Sequence, residues 1–237
     1  MLKVLSTKLL SESQIDTASQ MDISLSCIDF IEVHDLDFDL EVLKSLIYDA
    51  IVFTSSNAVK SFFKKAANNV FAPSPLERAG GEVIYSLSGK TKDELLKQGI
   101  SPIAAADNAE QLADLIIANN KVRSVLHICG NLTLDTLQNR LMMEGLSYVQ
   151  IQVYETVLNA IEISELIDAV MFYSPSGVES FASKNIIGPN TLYCCIGLTT
   201  AEKLKSLNDK VDIILPKQPT PEAMLKAIKD FKKGNDI

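Results

Sequence analysis

Short apolar runs, each about a strand in length, alternate along the chain with segments in which apolar residues return at helical spacing. That alternation is the signature of β/α units and of parallel sheet buried on both faces. In order, the strands expected are KVLST from Lys3, CIDFIEV from Cys27, AIVFTS from Ala50, EVIYSL from Glu82, SPIAA from Ser101 and SVLHIC from Ser124. They continue with YVQIQVYE from Tyr148, AVMFYS from Ala169, TLYCCIG from Thr191 and VDIILP from Val211. So many strands exceed one small sheet in a chain of 237 residues. Helices are expected at NAVKSFFKKA, KTKDELLKQG, NAEQLADLIIANN, TLDTLQNRLMMEG, SGVESFASKN, TTAEKLKSLN and TPEAMLKAIKDFKK. Each starts at Ser, Thr, Asn or Asp, whose side-chain oxygen can cap the free N–H groups of a first turn, and two end at Gly99 and Gly145, where a left-handed cap belongs.

The pattern also repeats. Ala50 to Lys65 aligns without a gap on Ala169 to Lys184, matching Phe53 to Phe172, Ser55 to Ser174, Val59 to Val178, Ser61 to Ser180 and Phe62 to Phe181. LSGKTKDELL, from Leu87, then resembles IGLTTAEKLK, from Ile196, with Thr91 on Thr200 and Leu95 on Leu204. Two copies of one α/β layout follow. The second copy carries too few strands for a sheet of its own and must borrow the two at the N-terminus. The organisation expected is therefore two parallel-sheet α/β domains, one inserted in the other and joined by a two-stranded β-ladder hinge. Residues 1–33 with 157–237 make the discontinuous domain, 38–150 the inserted one, and 34–37 and 151–156 the linker strands.

Composition narrows the function. Thirty acidic against 22 basic residues, a net charge of -8, argue against a sequence-independent grip on nucleic acid. The N-terminus lacks a signal-peptide pattern and no long apolar run follows, so a cytoplasmic protein without a membrane partner is expected. Cys27, Cys129, Cys194 and Cys195 form no CxxC; they read as buried, reduced thiols, with Cys194 and Cys195 on opposite faces of one strand. His34 and His127 have no acid or thiol at ligand spacing, so neither a metal site nor a His-based triad is expected. GxGxxG, GxxxxGK[ST] and GxSxG are all absent.

Candidate chemistry falls at the carboxyl ends of the strands, where open α/β sheets bind ligands. There lie Thr54, Ser55, Ser56 and Asn57; Ser88, Lys90 and Thr91; Asn108; Gly130, Asn131 and Thr133; Ser174, Ser176 and Gly177; Thr199 and Thr200; and Thr220. Helix N-termini offer unpaired N–H groups and partial positive charge, so two such rows across a hinged cleft would suit a polyanion even in an acidic protein. Taken singly, each of these residues is explained as a helix cap. Tyr154 differs, because it stands in the second crossing between domains, where its phenol could donate a proton into the cleft; packing at a domain junction is its plainer explanation. Lys90 reads first as a solvated lysine at a helix start.

FTSSNAV at Phe53, the KT-to-helix segment with Leu95 and Gly99, NAEQL at Asn108, LMMEG ending at Gly145, VYET at Val153, FYSPSGVESF at Phe172, IGLTTAEKL at Ile196 and TPEAMLKAI at Thr220 together resemble the uroporphyrinogen-III synthase family. The resemblance implies a two-domain fold with one domain inserted and a β-ladder joining the pair. It implies no metal or organic cofactor, and a linear tetrapyrrole substrate, hydroxymethylbilane, with an acetate and a propionate on each ring. The implied reaction loses the terminal hydroxyl to give an azafulvene cation, passes through a spiro intermediate, and closes the macrocycle with the last ring inverted. Tyr154 matches the family's tyrosine in VYxT, and Thr91, Ser174, Ser176, Thr199 and Thr200 match its hydroxyl positions. Three departures stand out: Thr7-Lys8 where Thr-Arg is common, Ser88 where glycine is frequent, and a short segment between the first two strands. The small-molecule substrate is the one partner expected, on a monomer. The rival is a two-lobed α/β binding protein for a polycarboxylate, which would need no acid in its cleft; a sugar-phosphate isomerase or transferase domain is a third reading.

Overall fold

The computed structural model describes residues 1–39, 43, 46, 48–67 and 83–235. These divide into two compact units, Met1–Glu32 with Val157–Ile237, and Val33–Thr156. The boundaries fall inside two strands, β3 (Ile31–Asp35) and β8 (Ser147–Leu158).

The discontinuous unit has a five-stranded sheet. Its strands are β1 (Leu2–Ser6), β2 (Ile23–Cys27), β9 (Ala169–Phe172), β10 (Leu192–Cys195) and β11 (Ile213–Ile214), in the order β11-β10-β9-β1-β2, and every pair is parallel. The N-terminal strands thus complete the sheet that the C-terminal half begins. Helices α6 (Pro175–Ala182) and α7 (Leu198–Leu207) bring Val178, Phe181, Ala201 and Leu204 onto one face with Leu5, Phe172 and Cys195. On the other face, α1 (Glu12–Gln20) and α8 (Pro221–Asn235) bring Ala18, Met224, Leu225 and Ile228 against Val4, Met171 and Cys194. Cys194 and Cys195 therefore do point to opposite faces, and both are free thiols.

Among the described residues the second unit has six strands in the order β3-β8-β7-β4-β5-β6, with β4 (Ala50–Phe53), β5 (Val83–Leu87), β6 (Ala104–Ala106) and β7 (Ser124–Gly130). From β8 through β6 the neighbours are parallel. α2 (Ser56–Ala67) and α3 (Lys90–Lys97) cover the face of Ile51, Phe53, Leu126 and Ile128 with Ala58, Val59, Phe62 and Leu95. α4 (Ala109–Ile117) and α5 (Thr136–Met143) cover the face of Ala50, Val52 and Val125 with Leu112, Ile116, Leu137 and Leu141. Burial from both sides explains why β4 reads as an unbroken apolar run rather than an alternating one. Each fully buried Leu, Ile or Phe on these faces contributes about 1.5–3 kcal/mol of transfer free energy.

Two local expectations need correction. CIDFIEV is not one strand: β2 ends at Cys27 and β3 begins at Ile31, in the other sheet. Between them, the Ile28 and Phe30 N–H groups donate to the carbonyls of Ser6 and Thr7, and Phe30 is buried beside Phe181. Alternation carried from one sheet into the next mimics a single strand. The polar stretch after β1, absent from the expected helices, forms α1, in which only Ala18 is buried, so no apolar stripe announced it. Ser11 N–H donates to Gln14 Oε1 at 3.0 Å, and Gln14 Nε2 reaches Glu222 of α8 at 2.9 Å, which fixes the helix start from its polar side. Of the strand expected at EVIYSL, Glu82 lies outside the described residues.

Candidate functional site

In the unit of Val33–Thr156, the corner from β4 into α2 carries Thr54, Ser55, Ser56 and Asn57, all half-buried. The Ser55 carbonyl accepts the Val59 N–H, and its side-chain Oγ accepts the Asn57 N–H at 3.1 Å, so Ser55 caps the second amide of the helix. The same Oγ accepts a second hydrogen bond, from the Tyr154 phenol at 2.9 Å. One serine thus closes a helix end and holds the candidate acid.

Tyr154 reaches Ser55 because β8 is irregular. Ser147 to Gln152 pair in step with Ser124 to Cys129, but Gly130 then stands opposite Tyr154 instead of Val153. The extra residue is a bulge, and it changes the face on which the side chain lands. Strict alternation would send Val153 and Tyr154 to opposite faces, yet both pack with the Ile51, Phe53 and Phe62 cluster. Gly130 makes room: a Cβ there would lie 2.7 Å from Tyr154 Cε1 and Cε2, so only glycine lets the ring lie over that backbone. Asn131 locks the irregularity, its Oδ1 accepting Thr156 N–H at 2.8 Å and its Nδ2 donating to the Thr156 carbonyl at 3.2 Å. Burial pushes the Tyr154 phenol above its ordinary value, partly offset by the bond to Ser55. The group holds its proton at neutral pH.

The other candidates of this unit are more dispersed. Ser88 does not cap α3; that position belongs to Gly89, at φ 64°, with no side-chain bond to the helix amides. Lys90 is exposed as the first residue of α3, while Thr91 is buried. Asn108 caps α4, its Oδ1 accepting the Gln111 N–H at 2.9 Å. Thr133 donates back to the Gly130 carbonyl at 2.8 Å, and Asp135 rather than Gly130 or Asn131 precedes α5. Sequence reasoning set His127 aside as a metal ligand or triad base and did not single out Tyr148. His127 is fully buried, with Nε2 2.8 Å from Thr54 Oγ1 and Nδ1 2.6 Å from the Tyr148 hydroxyl. Desolvation lowers it from 6.5 to about 4, so the ring is neutral. Its one sequence signal was a histidine at an inward position of an otherwise apolar strand.

In the discontinuous unit, Ser174 caps α6 by accepting the Gly177 N–H at 3.1 Å, with Ser176 Oγ 3.0 Å from Ser174 Oγ and Pro175 in the first turn. Gly177 is buried, and Thr7 Oγ1, which donates to the Met171 carbonyl at 2.8 Å, lies beside it. Gly197, not Thr199 or Thr200, is the N-cap of α7; Thr199 is exposed and Thr200 buried. Thr220 caps α8, its Oγ1 accepting the Ala223 N–H at 3.3 Å. Of two cavities among the described residues, the smaller lies beside the Asn108 cap at the carboxyl end of β6 and the other away from the helix caps. One of about 410 Å³ sits at Ala105 and Asp107, and another of about 520 Å³ is lined by Asp168 and Thr191, at the amino ends of β9 and β10. Among the described residues no three His, Cys, Asp or Glu side chains gather to hold a metal ion, and no helix is long and apolar enough to cross a membrane.

Comparisons with known proteins agree with one another. The family model described as uroporphyrinogen-III synthase HemD matches residues 21–226. A uroporphyrinogen-III synthase from Chlorobaculum parvum is 28% identical over 183 residues, 70% of this chain and 73% of that one. A crystal structure of a mutant uroporphyrinogen III synthase from the extremely thermophilic bacterium Thermus thermophilus has a TM-score of 0.79 at 14% identity, covering 100% of this chain and 99% of the other. The Helicobacter pylori uroporphyrinogen-III synthetase structure gives 0.65 at 21% identity, over 98% and 100%. At those identities the solved structures speak for the fold.

Proposed function

The chain belongs to the uroporphyrinogen-III synthase family, and from that premise we propose that it cyclises hydroxymethylbilane to uroporphyrinogen III, inverting the last pyrrole ring and releasing water. Family membership speaks against the polycarboxylate-binding alternative. The observation that carries the reading at the level of residues is the Tyr154 phenol, poised at 2.9 Å on Ser55 over the glycine at 130.

In this reading the C–O bond of the terminal hydroxymethyl group breaks with its electron pair going to oxygen. The adjacent pyrrole nitrogen supplies electrons to the azafulvene cation, and Tyr154 delivers the proton that turns the departing oxygen into water. A phenol that stays protonated at neutral pH suits that donor role. The proton lost from the last ring after the spiro step restores the phenol. The bilane also closes unaided, without inversion, so the larger part of the protein's work is to hold the correct carbon in line. Helix N-termini serve that purpose by receiving acetates and propionates. Ser55, Ser56 and Asn57, Lys90 and Thr91, and Asn108 contribute them in one unit, with Ser88, Gly130 and Asn131 adding contacts from the strand ends; Ser174, Ser176, Gly177, Thr199 and Thr200 do so in the other. Lys8, in place of an arginine, supplies a point charge rather than a bidentate fork.

The test is turnover of freshly made hydroxymethylbilane with separation of the isomers. Type III product, formed faster than the spontaneous type I, is expected; type I alone at the background rate would refute the activity. Tyr154→Phe keeps the ring over Gly130 but removes the proton, and turnover should fall by about 100-fold, within the range of general acid catalysis.

A further inference from the structure

His127 sits in the middle of β7, opposite Val52 of β4 on one side and Gln150 of β8 on the other. Thr54 lies two residues beyond Val52 and Tyr148 two residues before Gln150, so alternation places all three side chains on one face of the sheet. The ring therefore spans three adjacent strands diagonally, from Tyr148 toward the ligand end at Thr54. Both ring nitrogens are used, at 2.6 Å and 2.8 Å, although the residue is inaccessible to solvent. An apolar side chain would fill such a position without a histidine's desolvation cost, so the polar link calls for a reason.

Direction supplies it. A neutral imidazole has one donor and one acceptor nitrogen. A phenol donates more readily than it accepts, so across the 2.6 Å contact the Tyr148 O–H donates a hydrogen bond to Nδ1. Nε2 then carries the hydrogen and donates to Thr54 Oγ1. With one lone pair engaged, the Thr54 hydroxyl is oriented, and its own proton turns outward at the end of β4, next to the serine that holds Tyr154.

We propose that His127 is a positioning residue whose Nε2-protonated tautomer, set by Tyr148, makes Thr54 a dedicated hydrogen-bond donor that selects a substrate carboxylate over a pyrrole N–H. A hydroxyl held this way accepts poorly and donates well. The pyrrole N–H groups of a bilane can only donate, and its acetates and propionates only accept, so the relay biases which part of the substrate settles at this corner. The proposal deepens the synthase reading of this site and rests on it for the identity of the ligand.

The first experiment needs no substrate. Long-range 15N–1H spectra of histidine-labelled protein contain signals from His34 and His127 alone, and a His34→Gln variant assigns them. The Nε2–H tautomer at position 127 is expected from pH 8 to pH 6; an Nδ1–H tautomer would overturn the relay. The titratable side chains on that face include Tyr85, Tyr148 and Cys129, with Asp135 near Tyr148, and Tyr148 and Cys129 stay protonated across this range. The second experiment is a double-mutant cycle on hydroxymethylbilane turnover. His127→Phe should raise KM about ten- to a hundredfold with kcat little changed, the size of one hydrogen bond to a charged group. Thr54→Val should do the same, Thr54→Ser should restore the wild-type value, and the double variant should be no worse than either single one. Equal losses that multiply in the double variant would show that the ring only packs. Wild-type protein yielding type I product alone would sink the synthase reading while leaving the tautomer result to stand by itself.

Discussion

The two corners written with nearly the same residues, Phe53–Asn57 and Phe172–Ser176, do the same local job by different bonds. Ser55 caps the second amide of α2 and gives its remaining acceptor capacity to Tyr154 from β8. Ser174 caps the third amide of α6 and its Oγ lies 3.0 Å from Ser176 Oγ, and among the described residues no tyrosine hydroxyl bonds to it. Further along, the repeated Ser61 and Ser180 fasten each helix to a segment at the unit boundary: Ser61 to Asp35 of β3 at 2.6 Å, Ser180 to the Asn159 carbonyl just after β8 at 2.8 Å. Asp35 is held low by Lys64 and Ser61 together, and Lys65 pairs with Asp37 beside it. The lesson is that the shared phrase specifies a scaffold corner, and chemistry enters only where a third element reaches in.

That contrast can be broken most sharply at two glycines. Gly130→Ala would drive a Cβ into the Tyr154 ring, costing about 1–3 kcal/mol in stability for overpacking. Because it also displaces the phenol from Ser55, it should cut type III formation by more than about 100-fold, more than loss of the hydroxyl alone. Gly177→Ala places its Cβ 3.4 Å from Ser174 Oγ and 3.6 Å from Thr7 Oγ1, ordinary contact, and should leave the melting temperature unchanged or raise it slightly. Equal destabilisation by the two would end the distinction.

Acid should separate the units next. His127 is lowered from 6.5 to about 4 in the folded protein, so the unfolded chain binds the extra proton first as pH falls. Its contribution is complete above pH 6.5 and is lost progressively down to pH 4, about 3 kcal/mol in all. Glu222, lowered on folding from 4.5, begins to lose its contribution as pH falls through about 4.5, and Asp35 and Asp49, lowered from 3.8, begin somewhat below that. Thermal melts from pH 7 to pH 5, above the range of the carboxylates, should show most of this loss in the wild type and not in His127→Phe. The corner at Phe172–Ser176 has no matching histidine: the residue aligned with Thr54 is Tyr173, which instead accepts from Ser6 at 3.3 Å.

The smallest effects are at the caps. Ser55→Ala and Ser174→Ala should each cost about 1 kcal/mol by chemical denaturation, the usual value of a lost N-cap. Ser55→Ala should lower turnover more than Ser174→Ala does, because it also removes the acceptor that aims Tyr154. A larger activity loss from Ser174→Ala would mean that the phenol is aimed by something other than Ser55.

The sequence by itself determined a great deal. Alternating apolar runs and helical stretches specified parallel α/β architecture, because β4 and β9 must be buried on both faces and helices must supply the covering side chains. The repeat and the missing strands pointed to N-terminal strands completing the second sheet, and Gly99 and Gly145 do adopt positive φ at helix ends. Helix α1 and the split of CIDFIEV stayed hidden, since a polar helix with one buried alanine leaves no periodic stripe and alternation cannot tell one sheet from another. Only the tertiary structure decided which polar residues meet. The bulge between Cys129 and Gly130 depends on strand register, and register is a property of two segments together. So Tyr154 on Ser55, and His127 between Tyr148 and Thr54, are bonds among residues 21 to 99 positions apart that no local pattern announces.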